Sequence, residues 1–211
     1  MKKFINKKGE GKEVSRSLIV NSIKNSTTKK NKILSLPAGE CEIERKLYKT
    51  VSRKINYVMC ELNKDVYYNL VKNGCKYFPN NPPSFHCGPI SDKIFESRES
   101  DYSHLILDYC GQIGTFQEEL EYVFKNNIVE VGGTISMTFN KRITKGQPSK
   151  FATMIDNLNS YMIPNGVDNR KTERVVITFI NRIGGYNYDI EKVFHYHDTA
   201  SMILVIVRRL S

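Results

Sequence analysis

Two residues near the start of the chain have types and spacing that suit a nucleotide-like cofactor. Gly39 follows a short apolar run, and Glu61 stands after the next apolar run, about twenty residues further on. A glycine in a tight turn lets the backbone approach a ligand, and a carboxylate at a strand end can accept hydrogen bonds from both hydroxyls of a ribose. Each residue alone also fits an ordinary strand-to-helix turn or a solvated acid, so the pair is what indicates a cofactor site.

A second candidate site lies at Asp108 and Tyr109, which end the clearest predicted strand of the chain, 103–109. A carboxylate at a strand tip can orient an acceptor nitrogen or hydroxyl, or remove its proton. The tyrosine can stack on a base or donate a hydrogen bond to it. A cap of the following turn is the plain structural alternative for Asp108.

Short apolar strands alternate with amphipathic helices along most of the chain. The pattern predicts strands at 32–36, 55–60, 84–87, 103–109 and 132–139. It predicts helices at 12–25, 42–53, 64–73, 91–96, 115–126, 149–162 and 173–182, the last one ambiguous because Val175 to Phe179 is rich in β-branched residues. The runs 192–197 and 202–207 form a hairpin.

This alternation predicts an α/β fold: a doubly wound, mostly parallel sheet with helices on both faces and a C-terminal antiparallel hairpin. Ligands of such sheets bind beyond the carboxyl ends of the strands, where both candidate sites stand. No apolar run approaches the roughly 18 to 20 residues of a membrane span, and no signal-peptide pattern follows the basic start. We therefore expect a cytoplasmic protein without a membrane partner.

The order of strand, glycine turn, helix, strand and Glu61, with Leu107-Asp108-Tyr109 and the closing hairpin, resembles class I S-adenosylmethionine-dependent methyltransferases. The resemblance covers most of residues 12–211 by architecture. It implies S-adenosylmethionine as cofactor and assigns residues on three strand ends to it. They are Leu36, Pro37, Gly39, Glu61 and Asp92. Asp108 and Tyr109 would then stand at the methyl acceptor.

The first turn departs from the family pattern of an acid followed by two or three glycines. Ser35 stands at the acid and Pro37 at the first glycine, and Glu40 or Glu42 is a candidate to compensate. The stretch from Asp108 to Gly111 also differs from the Asp/Asn-Pro-Pro-Tyr/Phe motif of DNA amino-methylating enzymes. A similar stretch, 81–85, precedes a predicted strand, so we interpret it as a loop.

Positive charge is concentrated at the start of the chain. The net charge is +10, and residues 1–32 contain ten Lys and Arg against two acids, whereas the rest is almost balanced. We divide the chain into a basic arm and helix, 1–30, and a Rossmann-like domain, 31–211. The arm indicates a nucleic-acid partner or a solubilising tail. The candidate phosphate contacts are Lys7, Lys8, Lys29, Lys30, Lys141 and Arg142.

The remaining residue types indicate neither zinc nor a disulfide framework. The five cysteines include no C-x-x-C pair and are predicted to be reduced, mostly buried thiols. His195 and His197 share a strand face, but the spacing suggests no third ligand, so we predict no metal site. Arg208 and Arg209 are predicted to be solvated.

The sequence thus predicts an S-adenosylmethionine-dependent methyltransferase that acts on DNA or RNA. One alternative is a non-catalytic relative that binds nucleic acid or a partner through the same fold. Another is a methyltransferase for small molecules or proteins, in which the basic arm plays no part.

Overall fold

The computed structural model describes residues 9–51, 54–109, 111–140, 169–198 and 200–211. Its strands are β1 (Lys32–Ser35), β2 (Asn56–Glu61), β3 (Ser84–Cys87), β4 (Tyr102–Asp108), β5 (Val129–Asn140), β6 (Tyr188–His197) and β7 (Ser201–Arg209). Its helices are α1 (Glu10–Lys24), α2 (Glu42–Thr50), α3 (Lys64–Tyr77), α4 (Ile90–Phe95), α5 (Gln117–Lys125) and α6 (Asn169–Gly184). The predicted helix at 149–162 lies outside the described residues. The ambiguous segment at 173–182 is helical, within α6.

The seven strands form one sheet in the order β3-β2-β1-β4-β5-β7-β6. Strands β1 to β5 are parallel to one another. Strand β7 lies between β5 and β6 and is antiparallel to both. The chain moves outward from β1 to β3 and then returns to the other side of β1 with β4. The strand order therefore reverses between β1 and β4, which is where open α/β sheets bind ligands. The predicted doubly wound sheet and closing hairpin are confirmed.

Each face of the sheet is covered by its own helices and has its own apolar core. On one face, buried residues of α1, α2 and α3, such as Ile23, Leu47 and Leu70, pack on strand residues including Met59 and Ile106. On the other face, α4, α5 and α6 pack on the alternate strand residues. Because side chains of a strand alternate between faces, residues two apart along β2 or β4 belong to the same core.

Strand β5 begins three residues earlier than predicted and includes a glycine pair. Its register against β4 shifts between Tyr102 and His104, and Gly132 has a φ of 80°. A Cβ at Gly133 would lie 2.1 Å from the Ser103 carbonyl oxygen, so no side chain fits there. The pair lets the two backbones approach closely at an irregularity of the ladder.

The helix of the predicted basic arm is part of the packed body. Ile19, Val20 and Ile23 of α1 are buried against α2 and the sheet. A deletion of residues 1–30 would remove these core side chains, so the role of the arm has to be tested by charge substitutions instead. Of the described residues, no helix is long and apolar enough to cross a membrane.

Two predictions about buried and exposed residues need correction. Of the described cysteines, Cys41 and Cys60 are buried free thiols, but Cys75 and Cys87 are exposed. Arg209 is buried rather than solvated, because its guanidinium donates to the carbonyl oxygens of Asn127 and Val129, each at 2.8 Å. These two bonds join the end of β7 to the start of β5.

Candidate active site

The carboxyl end of β1 forms a notch in the edge of the sheet. β1 ends at Ser35, which is in register with Met59 of β2 and Ile106 of β4. Both neighbours continue for two more residues, to Glu61 and Asp108. Since adjacent strands lie about 4.8 Å apart, these two carboxylates flank a gap of about 10 Å. By strand alternation both point to the face covered by α1, α2 and α3.

The loop from β1 to α2 turns sharply at the floor of this notch. The Leu36 amide donates to the Ile106 carbonyl at 3.0 Å, which extends the sheet by one residue. Ala38 and Cys41 both adopt a φ of 51°, a left-handed conformation that favours glycine. Gly39 itself is not left-handed, and its carbonyl accepts from the Asn73 side-chain amide at 2.8 Å. Backbone strain therefore lies on either side of the predicted glycine and not at it.

Glu61 stands where β2 meets the loop that follows β3. One of its carboxylate oxygens accepts from the Asn63 amide at 2.8 Å, and its carbonyl accepts from the Gly88 amide at 3.0 Å. Across this loop His86 Nε2 lies 3.1 Å from a carboxylate oxygen of Asp92. A Cβ on Gly88 would lie 2.7 Å from that histidine nitrogen, so the pair requires a glycine between them. Glu61 and Asp92 are thus held at the same edge of the sheet.

Asp108 and Tyr109, adjacent in sequence, have different surroundings. The Thr138 hydroxyl of β5 donates to the Asp108 carboxylate, which fixes that carboxylate at the rim of the notch. The ring of Tyr109 is buried and stacks on Phe116, with centroids 3.7 Å apart. Burial, together with the charge of Glu119, raises the pKa of the Tyr109 hydroxyl. In this conformation Tyr109 is a core residue on the opposite face from Asp108, so its ring does not face the notch.

Sequence reasoning missed Glu44, the most unusual side chain at this edge. It lies in the first turn of α2, is fully buried, and neither of its carboxylate oxygens has a hydrogen-bond partner. Burial is the main cause that raises its pKa to about 7. The signal was present in the sequence, because Glu44 precedes the buried Leu47 by three residues and so shares the inward face of α2.

The acids that the sequence analysis proposed as compensation lie elsewhere. Glu40 is exposed in the loop before α2, and Glu42 forms an ion pair with Arg16 of α1. Neither side chain is buried beside Ser35. The acid that lies beside Ser35 is therefore Glu44, and not Glu40 or Glu42.

The raised pKa of Glu44 predicts a specific pH dependence of folding stability. The folded protein keeps this carboxyl protonated up to about pH 7, whereas the unfolded chain ionises near pH 4.5. Folding then binds a proton in this window, so stability falls as pH rises from 4.5 to 7 and the loss levels off above. The loss is up to about 3 kcal/mol, because one pKa unit corresponds to about 1.4 kcal/mol.

We expect Glu44→Gln to remove this part of the pH dependence and to unfold at a higher temperature than the unsubstituted protein at pH 8. Thermal unfolding at pH 5 and pH 8 measures both effects. Glu40→Gln, an exposed acid four residues earlier, is the matched control. Equal pH profiles for Glu44→Gln and the unsubstituted protein would contradict the assignment.

The candidate phosphate contacts fall into two groups. Lys29 and Lys30 are exposed, and their amides donate to the Glu130 carboxylate at 3.0 and 2.9 Å. They precede β1, at the amino ends of the strands, whereas Asp108 is at the carboxyl end of β4. Seven residues of β4 span roughly 20 Å, so these two lysines lie far from the notch. Lys7, Lys8, Lys141 and Arg142 lie outside the described residues.

The histidines on β6 contact a helix. Nε2 of His195 lies 2.7 Å from a carboxylate oxygen of Glu173 in α6, and His197 is exposed. Within the ranges that the structure describes, no group of three His, Cys, Asp or Glu side chains is arranged to hold a metal ion. The paired histidine and glutamate join α6 to the edge strand.

Comparison with known proteins identifies the fold. No family model and no curated protein matches this chain. Solved structures do match it over nearly its whole length. An O-methyltransferase from Bacillus cereus, in complex with S-adenosylhomocysteine, has a TM-score of 0.60 at 10% identity and covers 97% of this chain and 82% of its own.

Two further matches show the range of functions on this architecture. A candidate rRNA methylase from Clostridium thermocellum has a TM-score of 0.58 at 10% identity, covering 93% of this chain and 96% of its own. The O-methyltransferase TomG from Streptomyces achromogenes, in complex with S-adenosylmethionine, has a TM-score of 0.57 at 10% identity. The match covers 94% of this chain and 79% of TomG. Strand order, switch point and these structural neighbours agree: the chain has the fold of the class I S-adenosylmethionine-dependent methyltransferases.

Proposed function

We propose that this protein is an S-adenosylmethionine-dependent methyltransferase that acts on a nucleic acid. The main support for a methyltransferase is the notch where the strand order reverses, with Glu61 on one side and Asp108 on the other. The cofactor, when bound, supplies an electrophilic methyl group. The fold and the structural neighbours support this assignment of the cofactor.

The residues at the notch fit such a cofactor. The loop containing Leu36, Pro37 and Gly39 forms the floor, Glu61 offers a carboxylate for ribose hydroxyls, and Asp92 borders the loop after β3. The Ser35 hydroxyl, buried at the base of the notch, has no hydrogen-bond partner. Orphaned polar groups beside a strained turn are typical of a site that a ligand completes.

Asp108 is the residue placed to act on the methyl acceptor. Transfer from a sulfonium is an in-line displacement in which the acceptor atom forms a bond to the methyl carbon as the sulfur leaves with its electron pair. The protein positions the two partners, and a base takes up the proton that the acceptor loses. The Thr138 hydroxyl holds the Asp108 carboxylate in place for this task.

Charge supports a nucleic acid as the substrate. The excess of ten positive charges favours a polyanion, and one structural neighbour is named as a candidate rRNA methylase. Lys141 and Arg142 directly follow Asn140, which ends β5 at the same edge of the sheet as Asp108. Lys7, Lys8, Lys29 and Lys30 complete the proposed contacts.

Salt dependence of binding tests the nucleic-acid proposal. We expect Lys141→Ala/Arg142→Ala to lower the affinity for RNA or DNA and to reduce the slope of log affinity against log salt by about 1.4 to 1.8, because two phosphate contacts are lost. Lys29→Ala/Lys30→Ala is expected to do the same if those contacts form independently. Lys125→Ala is the control, since this lysine is already paired with Glu121 at 2.8 Å.

Filter binding with single-stranded RNA and duplex DNA at several salt concentrations provides the measurement. Unchanged slopes for both double variants would rule out these residues as phosphate contacts. The substrate would then be sought among small molecules and proteins, as the O-methyltransferase neighbours suggest.

A non-catalytic binding protein on the same fold is the second candidate function. It is favoured by the first turn, where Ser35 and Pro37 stand in place of the acid and the first glycine of the family pattern. Titration calorimetry with S-adenosylmethionine and S-adenosylhomocysteine distinguishes the two. Micromolar binding supports the methyltransferase, whereas no heat and no thermal shift at millimolar ligand supports the binding protein.

A further inference from the structure

The buried carboxyl group of Glu44 has no partner in the protein itself. Its side chain is fully buried in the first turn of α2, and both of its oxygens lack hydrogen bonds. Buried polar groups are almost always paired, because burial without a partner is costly. Such a group, at the edge of a sheet where ligands bind, needs an explanation that the core alone does not give.

Two neighbours of Glu44 belong to the notch. The Ser35 hydroxyl at the end of β1 lies close enough to lower its pKa, although the two side chains do not meet the geometry of a hydrogen bond, whereas the negative charge of Asp108 at the end of β4 raises it. The Ser35 hydroxyl is itself buried and without a partner. Glu44 therefore lies close to the end of β1 and near enough to Asp108 for the two charges to interact.

The groups that face Glu44 do not neutralise it. Arg16 of α1 is the cation whose charge acts on it, but that guanidinium is bound to Glu13 at 2.6 Å and to Glu42. The other titratable groups facing it are Cys41 at the start of α2 and Tyr57 of β2, both neutral at physiological pH because burial raises their pKa values. Among the described neighbours of Glu44, no positively charged side chain is paired with its carboxyl group.

We propose that the Glu44 carboxylate pairs with a positively charged group of S-adenosylmethionine and so replaces the acid that Ser35 does not supply. This inference rests on the proposed methyltransferase function. S-adenosylmethionine carries a sulfonium and an ammonium group, and either one would supply the positive charge that the described neighbours of Glu44 do not. Glu44 is a binding residue in this proposal, and it reaches the cofactor from helix α2 instead of from strand β1.

The proposal predicts that cofactor binding is coupled to proton release. At pH 6 the free protein holds a proton on Glu44, and an opposite charge in the complex favours the ionised form. About one proton is then released per cofactor bound, and affinity rises nearly tenfold from pH 5.5 to 6.5 before it levels off near pH 7. Calorimetry at pH 6 in two buffers with different ionisation enthalpies counts the protons directly.

Glu44→Gln keeps the shape of the neutral side chain but cannot ionise. We expect it to weaken S-adenosylmethionine binding at pH 7 by about 10- to 100-fold, as for the loss of a bond to a charged group, and to abolish both the proton release and the pH dependence. Glu40→Gln is the matched control, since it changes an exposed acid just before α2. This control is expected to release the proton as the unsubstituted protein does.

The outcomes separate this inference from the function on which it rests. If the unsubstituted protein does not bind S-adenosylmethionine, the proposed function fails. If it binds and Glu44→Gln binds equally well with the same proton release, the function stands and the role of Glu44 is overturned. Thermal unfolding of Glu44→Gln at pH 5 confirms that the variant is folded, so a loss of binding cannot come from misfolding.

Discussion

Replacing Asp108 with asparagine is expected to lower the rate of methyl transfer by about 10²- to 10⁴-fold, while the affinity for S-adenosylmethionine changes little. The amide keeps the size of the side chain and can still accept from the Thr138 hydroxyl, but it is not a base. Transfer of a labelled methyl group to RNA or DNA measures the rate, and calorimetry measures cofactor affinity. Glu44→Gln is expected to show the opposite pattern, with its main effect on the affinity for S-adenosylmethionine and not on the rate of methyl transfer.

The control for this variant lies just before the same strand. Asp101 precedes β4 at the amino edge of the sheet and is paired with Lys32 at 2.8 Å. Asp101→Asn therefore changes an acid at the opposite end of β4, about 20 Å from the notch, and should leave transfer intact. A normal rate for Asp108→Asn would show that Asp108 only caps the turn after β4.

Replacing Glu61 with alanine is expected to weaken S-adenosylmethionine and S-adenosylhomocysteine binding equally, by about 10²- to 10⁴-fold. The reason is the loss of two hydrogen bonds to a charged group, each worth about 1.5 to 3 kcal/mol. Equal losses are expected because the ribose is common to both ligands, and calorimetry with both measures them. Unchanged affinity would mean that β2 does not border the cofactor.

Asp65→Asn is the matched control for Glu61. This acid is exposed in the first turn of α3, four residues beyond Glu61, and it lies outside the notch. Asn63 links the two positions, since its amide donates to the Glu61 carboxylate and its side chain caps α3. Comparable helix content in all variants, measured by circular dichroism, excludes a loss of the cap as the cause.

The architecture could be predicted because each element carries its own pattern. Strands β1, β2 and β4 are apolar runs that end at an acid or shortly before a proline, and the order of strands and helices then leaves few topologies. The same logic located Glu61 and Asp108, because both end strands whose apolar residues are plain in the sequence. The predicted start of β5 was less accurate, because the strand begins before the glycine pair Gly132 and Gly133. These glycines are needed there because the backbone of β4 approaches closely, which the sequence does not show.

The parts that could not be predicted depend on tertiary neighbours. Glu44 and Arg209 are of residue types that usually face solvent. The spacing of Glu44 to Leu47 indicated the inward face of α2, but only the packed structure shows that both side chains are buried. Tyr109 stands next to Asp108 in sequence but on the other face of the sheet, where Phe116 covers it. The left-handed turn at Ala38 and Cys41 was missed because neither residue type signals that conformation.

The position of β7 has a consequence for how the chain reaches its native state. This strand lies between β5 and β6, although it is the last of the three in the chain. Until residues 201–209 are in place, β5 presents an open edge of unpaired amides and carbonyls, which is a template for pairing with another chain. Synthesis on a ribosome proceeds from the N-terminus, so the parallel half of the sheet is complete while this edge remains open. The pairing of distant segments also raises the contact order, which slows folding. The closing hairpin is therefore the step at which folding competes with aggregation.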